Sequence, residues 1–217
     1  MQILANAIQM PAALALRGTA SGGMSQTLRK GEELFAEGDA ADWFYKVVTG
    51  AIRTSKLLSD GRRQIGAFHL AGEMFGLEAG ENHRFTAEAL TGTKILAYCR
   101  TCLKPSARDG GALREEVLSS AIHSLDRAQE HILLLGRKTA QEKVAAFLLD
   151  MADRMPDGDG QFELPMPRSD IADYLGLTIE TVSRTLSQFT RDGLIRLPAA
   201  SRSIELCNLP ALRQLNV

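Results

Sequence analysis

Glu180, Ser183 and Arg184 are the residues of this chain best suited to directional chemistry. An arginine offers N–H donors in a rigid fork that matches O6 and N7 of guanine, and a glutamate can accept from the cytosine N4 amino group. Serine is short enough to let a backbone come close, and its hydroxyl or Cβ can touch a thymine edge. Glu180 and Arg184 stand four residues apart, so in a helix both face the same side. The set suits the reading of base edges in double-stranded DNA. Arg168, Ser169, Thr178, Thr181 and Arg202 are candidates for contacts to the DNA backbone, which position a protein without reading sequence. For Arg168 and Arg202 a plain solvated surface charge is the competing reading.

The elements that must position these groups are two short amphipathic helices joined by a tight turn. Ile171, Ala172 and Leu175 give the first helix an apolar face, and Gly176 can take the positive φ that ends it. Leu177 plugs the gap between the helices and Thr178 caps the second. Val182, Leu186 and Phe189 recur at i, i+4 and i+7 and anchor the second helix, which leaves Glu180, Thr181, Ser183 and Arg184 outward near its start. This is the layout of a helix-turn-helix, whose recognition helix offers its N-terminal residues to the major groove. The competing reading is an ordinary helical hairpin in a globular core. Such a hairpin has no need of a small residue at the close approach, glycine in the turn and polar side chains on the exposed first turn.

The rest of the chain supplies a scaffold. Its 217 residues, 45% of them hydrophobic, can bury a core, and no apolar run approaches the length of a membrane span, so no membrane partner is expected. The first 17 residues lack a basic leading segment and read as no secretory signal. Three cysteines fit a reducing cytoplasm rather than a disulfide scaffold. A net charge of −1 requires any DNA-facing positive surface to be local. Residues 1–27, rich in Ala, Gly, Ser and Gln, read as a flexible arm. From Leu28 to Tyr98, β-type runs (33–35, 43–48, 51–57, 64–68, 84–89 and 94–98) are punctuated by glycines, which predicts a small sandwich or barrel. From Gly111 to Lys138 the period turns helical. Leu118, Ile122, Leu125, Gln129 and Ile132 form a heptad seam that predicts a homodimer, and Gln129 is a polar interruption that can fix register. A single helix packed on its own domain is the alternative. Residues 141–155 predict a further helix, Phe162–Leu164 a short strand, and Leu194–Leu197 with Ser203–Leu206 a β-hairpin wing closed by a turn at Pro198–Ser201.

Ile179-Glu180-Thr181-Val182-Ser183-Arg184, with Asp170-Ile171-Ala172 upstream, resembles the recognition element of the CRP/FNR family of bacterial transcription regulators. Glu-x-x-Ser-Arg is the pattern of the FNR and FixK branch. Ile179 stands where the CRP branch carries its first arginine. Lys30-Gly31-Glu32, Glu37-Gly38-Asp39 and Val48–Arg53 resemble the opening of a cyclic-nucleotide-binding-type β-roll, and Gly72–Leu77 the start of its ligand cassette. The resemblance spans roughly residues 28–210, and the chain is identified as a FixK-like member. It implies an α+β chain in four parts: the arm (1–27), a β-roll (28–110), a dimerisation helix (111–138) and a winged helix-turn-helix (139–217). It also implies TTGAT half-sites in an inverted repeat separated by four base pairs, read by Glu180, Ser183 and Arg184. Recruitment of RNA polymerase and control of low-oxygen, respiratory or nitrogen-fixation genes follow from the same resemblance.

An effector-gated regulator is the alternative. Cyclic-nucleotide-binding relatives use a Glu on the ribose and an Arg-Ser pair on the phosphate. Here Glu78 is retained, but Arg84 is followed by Phe85, so the pocket is expected to be filled by its own side chains. A four-thiolate iron–sulfur cluster cannot assemble in one chain, because residues 1–98 hold no cysteine. Cys99 and Cys102 form a lone C-x-x-C, and the four histidines show no ligand spacing, so neither a metal nor another cofactor is expected. Cys207, just after the wing, is the redox candidate, against a buried small residue as the plainer reading. No nucleophile–base pair, phosphate-cradling loop or His-Glu metal box occurs, which excludes an enzyme.

Overall fold

The computed structural model describes residues 23–103, 111–155, 161–198 and 202–216. The expected arm therefore lies largely outside the described residues, as do residues 199–201 of the turn expected at the wing tip. Two four-stranded antiparallel sheets form the N-terminal roll. One has the order β1 (Met24–Leu28), β8 (Thr93–Cys99), β3 (Trp43–Thr49), β6 (Met74–Phe75). The other runs β2 (Glu33–Phe35), β7 (Thr86–Ala89), β4 (Ile52–Leu57), β5 (Arg63–His69). Leu28, Val47, Ile52, Phe75, Ala87 and Ile95 alternate inward and meet between the sheets.

Two strands depart from expectation. β1 takes in the last residues assigned to the arm: Met24 pairs with Ala97 and Leu28 with Thr93. Its middle residues are polar and only its last is fully buried, so pairing with β8 rather than apolar alternation makes it a strand. β6 is two residues of the expected ligand cassette, drawn into the sheet by Tyr45 and Lys46.

α1 (Gly111–Arg137) is the long helix, and Leu134 is its one buried residue among those described. Leu118, Ile122, Leu125 and Ile132 are 63%, 52%, 58% and 68% exposed, and Gln129 is exposed with them. α2 (Ala140–Arg154) follows at once, started by a capping box in which Thr139 and Glu142 satisfy each other's backbone N–H. β9 (Gln161–Glu163), α3 (Arg168–Leu175), α4 (Ile179–Arg191), β10 (Ile195–Arg196), β11 (Ser203–Leu206) and α5 (Leu209–Leu215) complete the C-terminal part. The wing is a three-stranded sheet rather than a lone hairpin, because β9 pairs with β11 on the side away from β10. No helix among the described residues is long and apolar enough to cross a membrane.

One apolar cluster spans the roll and the C-terminal helices. Ile65, Phe68 and Leu70 from the outer face of the roll share one apolar cluster with Leu134, Phe147, Leu148, Leu175, Val182 and Phe189. Phe68 lies edge-on to Phe147 and 5.2 Å from the Tyr174 ring. Charged groups cross the same boundary. Asp170, at the start of α3, has a side chain 1% exposed, held by Arg53 at 2.5 Å and Arg63 at 2.6 Å from β4 and β5. Arg63 also donates to Asp173 at 2.8 Å, Arg53 to Glu88 at 2.8 Å, and Gln64 to the Asp173 carbonyl at 2.9 Å. Burial alone would lower the Arg53 guanidinium, but its hydrogen bonds to Glu88 and Asp170 outweigh that and hold it above its ordinary value.

Desolvation holds two histidines uncharged. His69 stacks on Phe75, contacts the Thr54 hydroxyl at 3.1 Å, and is pushed down to about 4 by desolvation. His131, half-buried, lies tilted against the Tyr174 ring at 4.0 Å and is likewise pushed to about 4 by desolvation. A histidine depressed in the fold stabilises it above the unfolded value near 6.5, and that contribution is lost as pH falls toward 4. At pH 5 the deficit from His69 alone is about 2 kcal/mol. Chemical denaturation from pH 8 to 5 is expected to show wild-type stability falling below pH 6.5, with a shallower fall in His69→Gln.

Candidate nucleic-acid interface

α3 begins after Pro165-Met166-Pro167, whose prolines favour extended backbone ahead of the helix. It ends at Gly176, which sits in the left-handed region at φ 61°. The Leu177 N–H then bonds back to the Ala172 carbonyl at 3.0 Å, and the chain turns within three residues into α4. A side chain at position 176 would be strained by that φ, although its Cβ would meet only Leu135, in ordinary contact at 3.4 Å. Thr178 caps α4 by accepting from the Thr181 N–H at 3.2 Å.

The apolar side of α4 is buried as its spacing predicts: Val182, Leu186 and Phe189 are all in the shared core, joined by Thr185. The opposite side carries the reading candidates. Glu180 and Arg184 are exposed and Ser183 is half-buried beside them. Among the described residues, no hydrogen bond or ion pair ties up the side chain of Glu180 or Arg184. Their donors and acceptors face solvent, one turn apart.

The backbone candidates divide by what already holds them. Arg168 and Ser169 are exposed on the first turn of α3. Arg168 reaches across to α4 and donates to the Ser183 hydroxyl at 3.4 Å, so the structure brings a backbone candidate and a reading candidate together. The Thr178 and Thr181 hydroxyls lie 3.0 Å apart, so one of their two protons is shared between them and the other can point outward. Arg202, exposed just before β11, donates at 3.1 Å to the carbonyl of Pro165, ahead of α3. Ile179, which the motif includes without giving it a role, is 43% exposed and places an apolar side chain on the first turn beside Glu180.

The chain is 48% identical over 189 residues to the nitrogen fixation regulation protein FixK of Rhizobium meliloti (strain 1021), covering 87% of this chain and 85% of that one. The chain belongs to the FixK-like branch of the CRP/FNR family of bacterial transcription regulators. Residues 142–215 match the Crp-like helix-turn-helix domain and residues 25–104 the cyclic nucleotide-binding domain. Among solved structures, FixK2 of Bradyrhizobium japonicum superposes with a TM-score of 0.83 at 46% identity, over 90% of this chain and 98% of that one. The transcriptional activatory protein AadR of Rhodopseudomonas palustris is 41% identical, covering 79% of this chain and 74% of that one. The family is one of DNA-binding regulators and not of enzymes.

The cassette of this FixK-like chain corrects one expectation. Phe85 does lie on the roll, flat enough that a Cβ at Gly66 would meet its ring at 2.9 Å. Glu78 is engaged within the chain, accepting from the Arg84 N–H at 3.4 Å and facing His83 at 3.6 Å. The pocket is nevertheless not filled. A cleft of about 640 Å³ remains between the roll and α1, bordered by Phe85, Glu78, Arg84, Leu125 and Ile132. Phe85 closes the wall of the roll, while the space between roll and helix is set by where α1 lies.

The cysteines stand apart from this face. Cys99 and Cys102 are half-buried at the end of β8, with the Cys99 thiol 3.1 Å from the Thr101 hydroxyl. Cys207 is exposed after β11, its thiol 3.7 Å from the Glu205 carbonyl, so it is not the buried small residue of the plainer reading. Among the described residues no group of three or more His, Cys, Asp or Glu could hold a metal ion.

Proposed function

We propose that this FixK-like chain binds a TTGAT-N4-ATCAA-like inverted repeat as a homodimer and activates transcription there by recruiting RNA polymerase. Glu180, Ser183 and Arg184 read the bases. Arg168, Ser169, Thr178, Thr181 and Arg202 hold the DNA backbone, and Ile179 meets a thymine methyl. Leu118, Ile122, Leu125, Gln129 and Ile132 form the dimer seam. The work is done in the cytoplasm, on genes for low-oxygen respiration or nitrogen fixation, in line with the names of the relatives. The observation that carries the reading is the pair Glu180 and Arg184, exposed, unengaged and one turn apart on a helix whose other side is wholly buried.

A single bidentate base contact is worth roughly 1–3 kcal/mol of discrimination, and a dimer makes it twice. Arg184→Ala is therefore expected to lower affinity for the repeat by orders of magnitude while leaving weak non-specific binding. Competition with duplexes varied at each half-site position checks the assignment. Retention of the wild-type preference at the G·C pair would show that another residue reads it.

The seam supports the dimer by its exposure: four large apolar side chains in heptad register are each more than half exposed. Ile122→Glu places an uncompensated carboxylate at the centre of that seam, at a cost of several kcal/mol. Sedimentation is expected to give a monomer, and affinity for the paired half-sites to fall with it. A dimeric variant would move the interface elsewhere.

The open cleft favours a second reading, in which a cyclic nucleotide or another small ligand gates the protein from the β-roll. Against it, Glu78 is already engaged and Phe85 stands beside Arg84. Titration calorimetry with cyclic AMP and cyclic GMP is expected to give no heat, and the purified protein to bind its operator with no nucleotide, iron or haem added. Saturable heat from either nucleotide would turn the assignment to the gated reading. Cys207 remains the redox candidate for this chain.

A further inference from the structure

We propose that Asp170, with Arg53 and Arg63 that grip it, is a positioning residue for DNA reading: the trio fixes α3, and through it α4, at one orientation on the β-roll. The inference rests on the reading of this chain as a dimer that engages two half-sites.

Two kinds of contact join the roll to α3. The apolar one, Ile65, Phe68 and Leu70 against the helical core, is large but non-directional, and by itself allows the surfaces to slide or rotate. The charged one is directional. Two guanidinium groups from neighbouring strands approach the two oxygens of one carboxylate, Arg53 at Oδ2 and Arg63 at Oδ1. Arg63 is oriented in turn by Asp173 and Arg53 by Glu88, and Gln64 takes the Asp173 carbonyl. Rotation of α3 by a fraction of a turn would strip both partners from a carboxylate that is 1% exposed, which no surface water could then compensate. Asp170 lies six residues before Gly176, and the turn there is closed by backbone hydrogen bonds from Gly176 and Leu177 to the Ala172 carbonyl. Holding Asp170 therefore holds the start of the recognition helix.

The consequence concerns spacing. Two linked sites add their affinities only when the geometry lets both engage at once. A winged helix fixed to the roll presents its two copies at one separation. A winged helix held by apolar contact alone would tolerate several.

The test uses the full chain. Arg53→Met, Asp170→Leu and Arg63→Met together remove every charge of the trio, so no carboxylate is left fully buried without a partner; Glu88 and Asp173 lose their arginines but are 30% and 32% exposed, within reach of water. Circular dichroism checks the fold before binding is measured, and Arg63→Met alone is the milder companion. Binding is measured on inverted repeats with spacers of three, four and five base pairs, and on a duplex with one half-site. Wild type is expected to prefer the four-base-pair spacer by ~10-fold or more. The triple variant is expected to lose most of that preference and ~10-fold of its affinity for the four-base-pair repeat, with half-site affinity within ~2-fold of wild type. Arg63→Met is expected to fall between. A folded triple variant that keeps the wild-type spacer preference overturns the inference, as does an equal loss on half-site and full repeat, which would mark a merely structural role. A wild type that binds paired and single half-sites equally overturns the dimeric reading and this inference with it.

Discussion

The apolar side of α4 has to be buried completely for its other side to be left free. Val182, Leu186 and Phe189 sink into one core with Leu148, Leu175 and Phe147, and this anchors a helix of 13 residues that would be marginal alone in water. Glu180 and Arg184 then need no partner within the chain. Their unspent hydrogen-bonding capacity is what a DNA reader offers to base edges. The turn at Gly176, the Thr178 cap and the contact of Arg168 with Ser183 all serve to place that free face.

The same core ties the helix-turn-helix to the roll. Ile65, Phe68 and Leu70 belong to a strand and the loop after it, yet they pack with the helices of the DNA-binding part and not only with their own sheets. A polar network, Arg53–Asp170–Arg63 with Glu88 and Asp173, runs along the edge of that apolar contact. Area and direction are thus supplied by different groups. His69, stacked on Phe75, and His131, tilted against Tyr174, both border the cleft between roll and α1 and are held uncharged by desolvation.

The roll of this FixK-like regulator keeps the outline of a ligand domain while its cassette is internally engaged. Glu78 faces His83 and the Arg84 backbone, and Phe85 covers Gly66. The expectation of a filled pocket failed because it considered only the roll's own side chains. The cleft of about 640 Å³ is bounded on its far side by α1, whose exposed Leu125 and Ile132 also belong to the heptad seam.

The helix-turn-helix and the phase of its faces were legible in the sequence. Helical period, the glycine that must take positive φ and the threonine that caps the next helix are local properties, settled within a few residues. Most roll strands were legible for the same reason, through alternation and glycine punctuation. β1 was not, because its middle residues Ser25, Gln26 and Thr27 are polar and only pairing with β8 orders them. β6 was not, because two residues carry no period. The tertiary structure alone decided that Asp170 is a buried carboxylate rather than an acidic residue at an exposed helix start. Its arginines lie 117 and 107 residues away in the chain, and no local pattern encodes a pairing at that separation. It alone decided that Ile179 is exposed, since an apolar residue is buried only if something packs on it. Period and capping are interactions of a residue with its chain neighbours; ion pairing, exposure and the cleft depend on what the folded chain brings alongside.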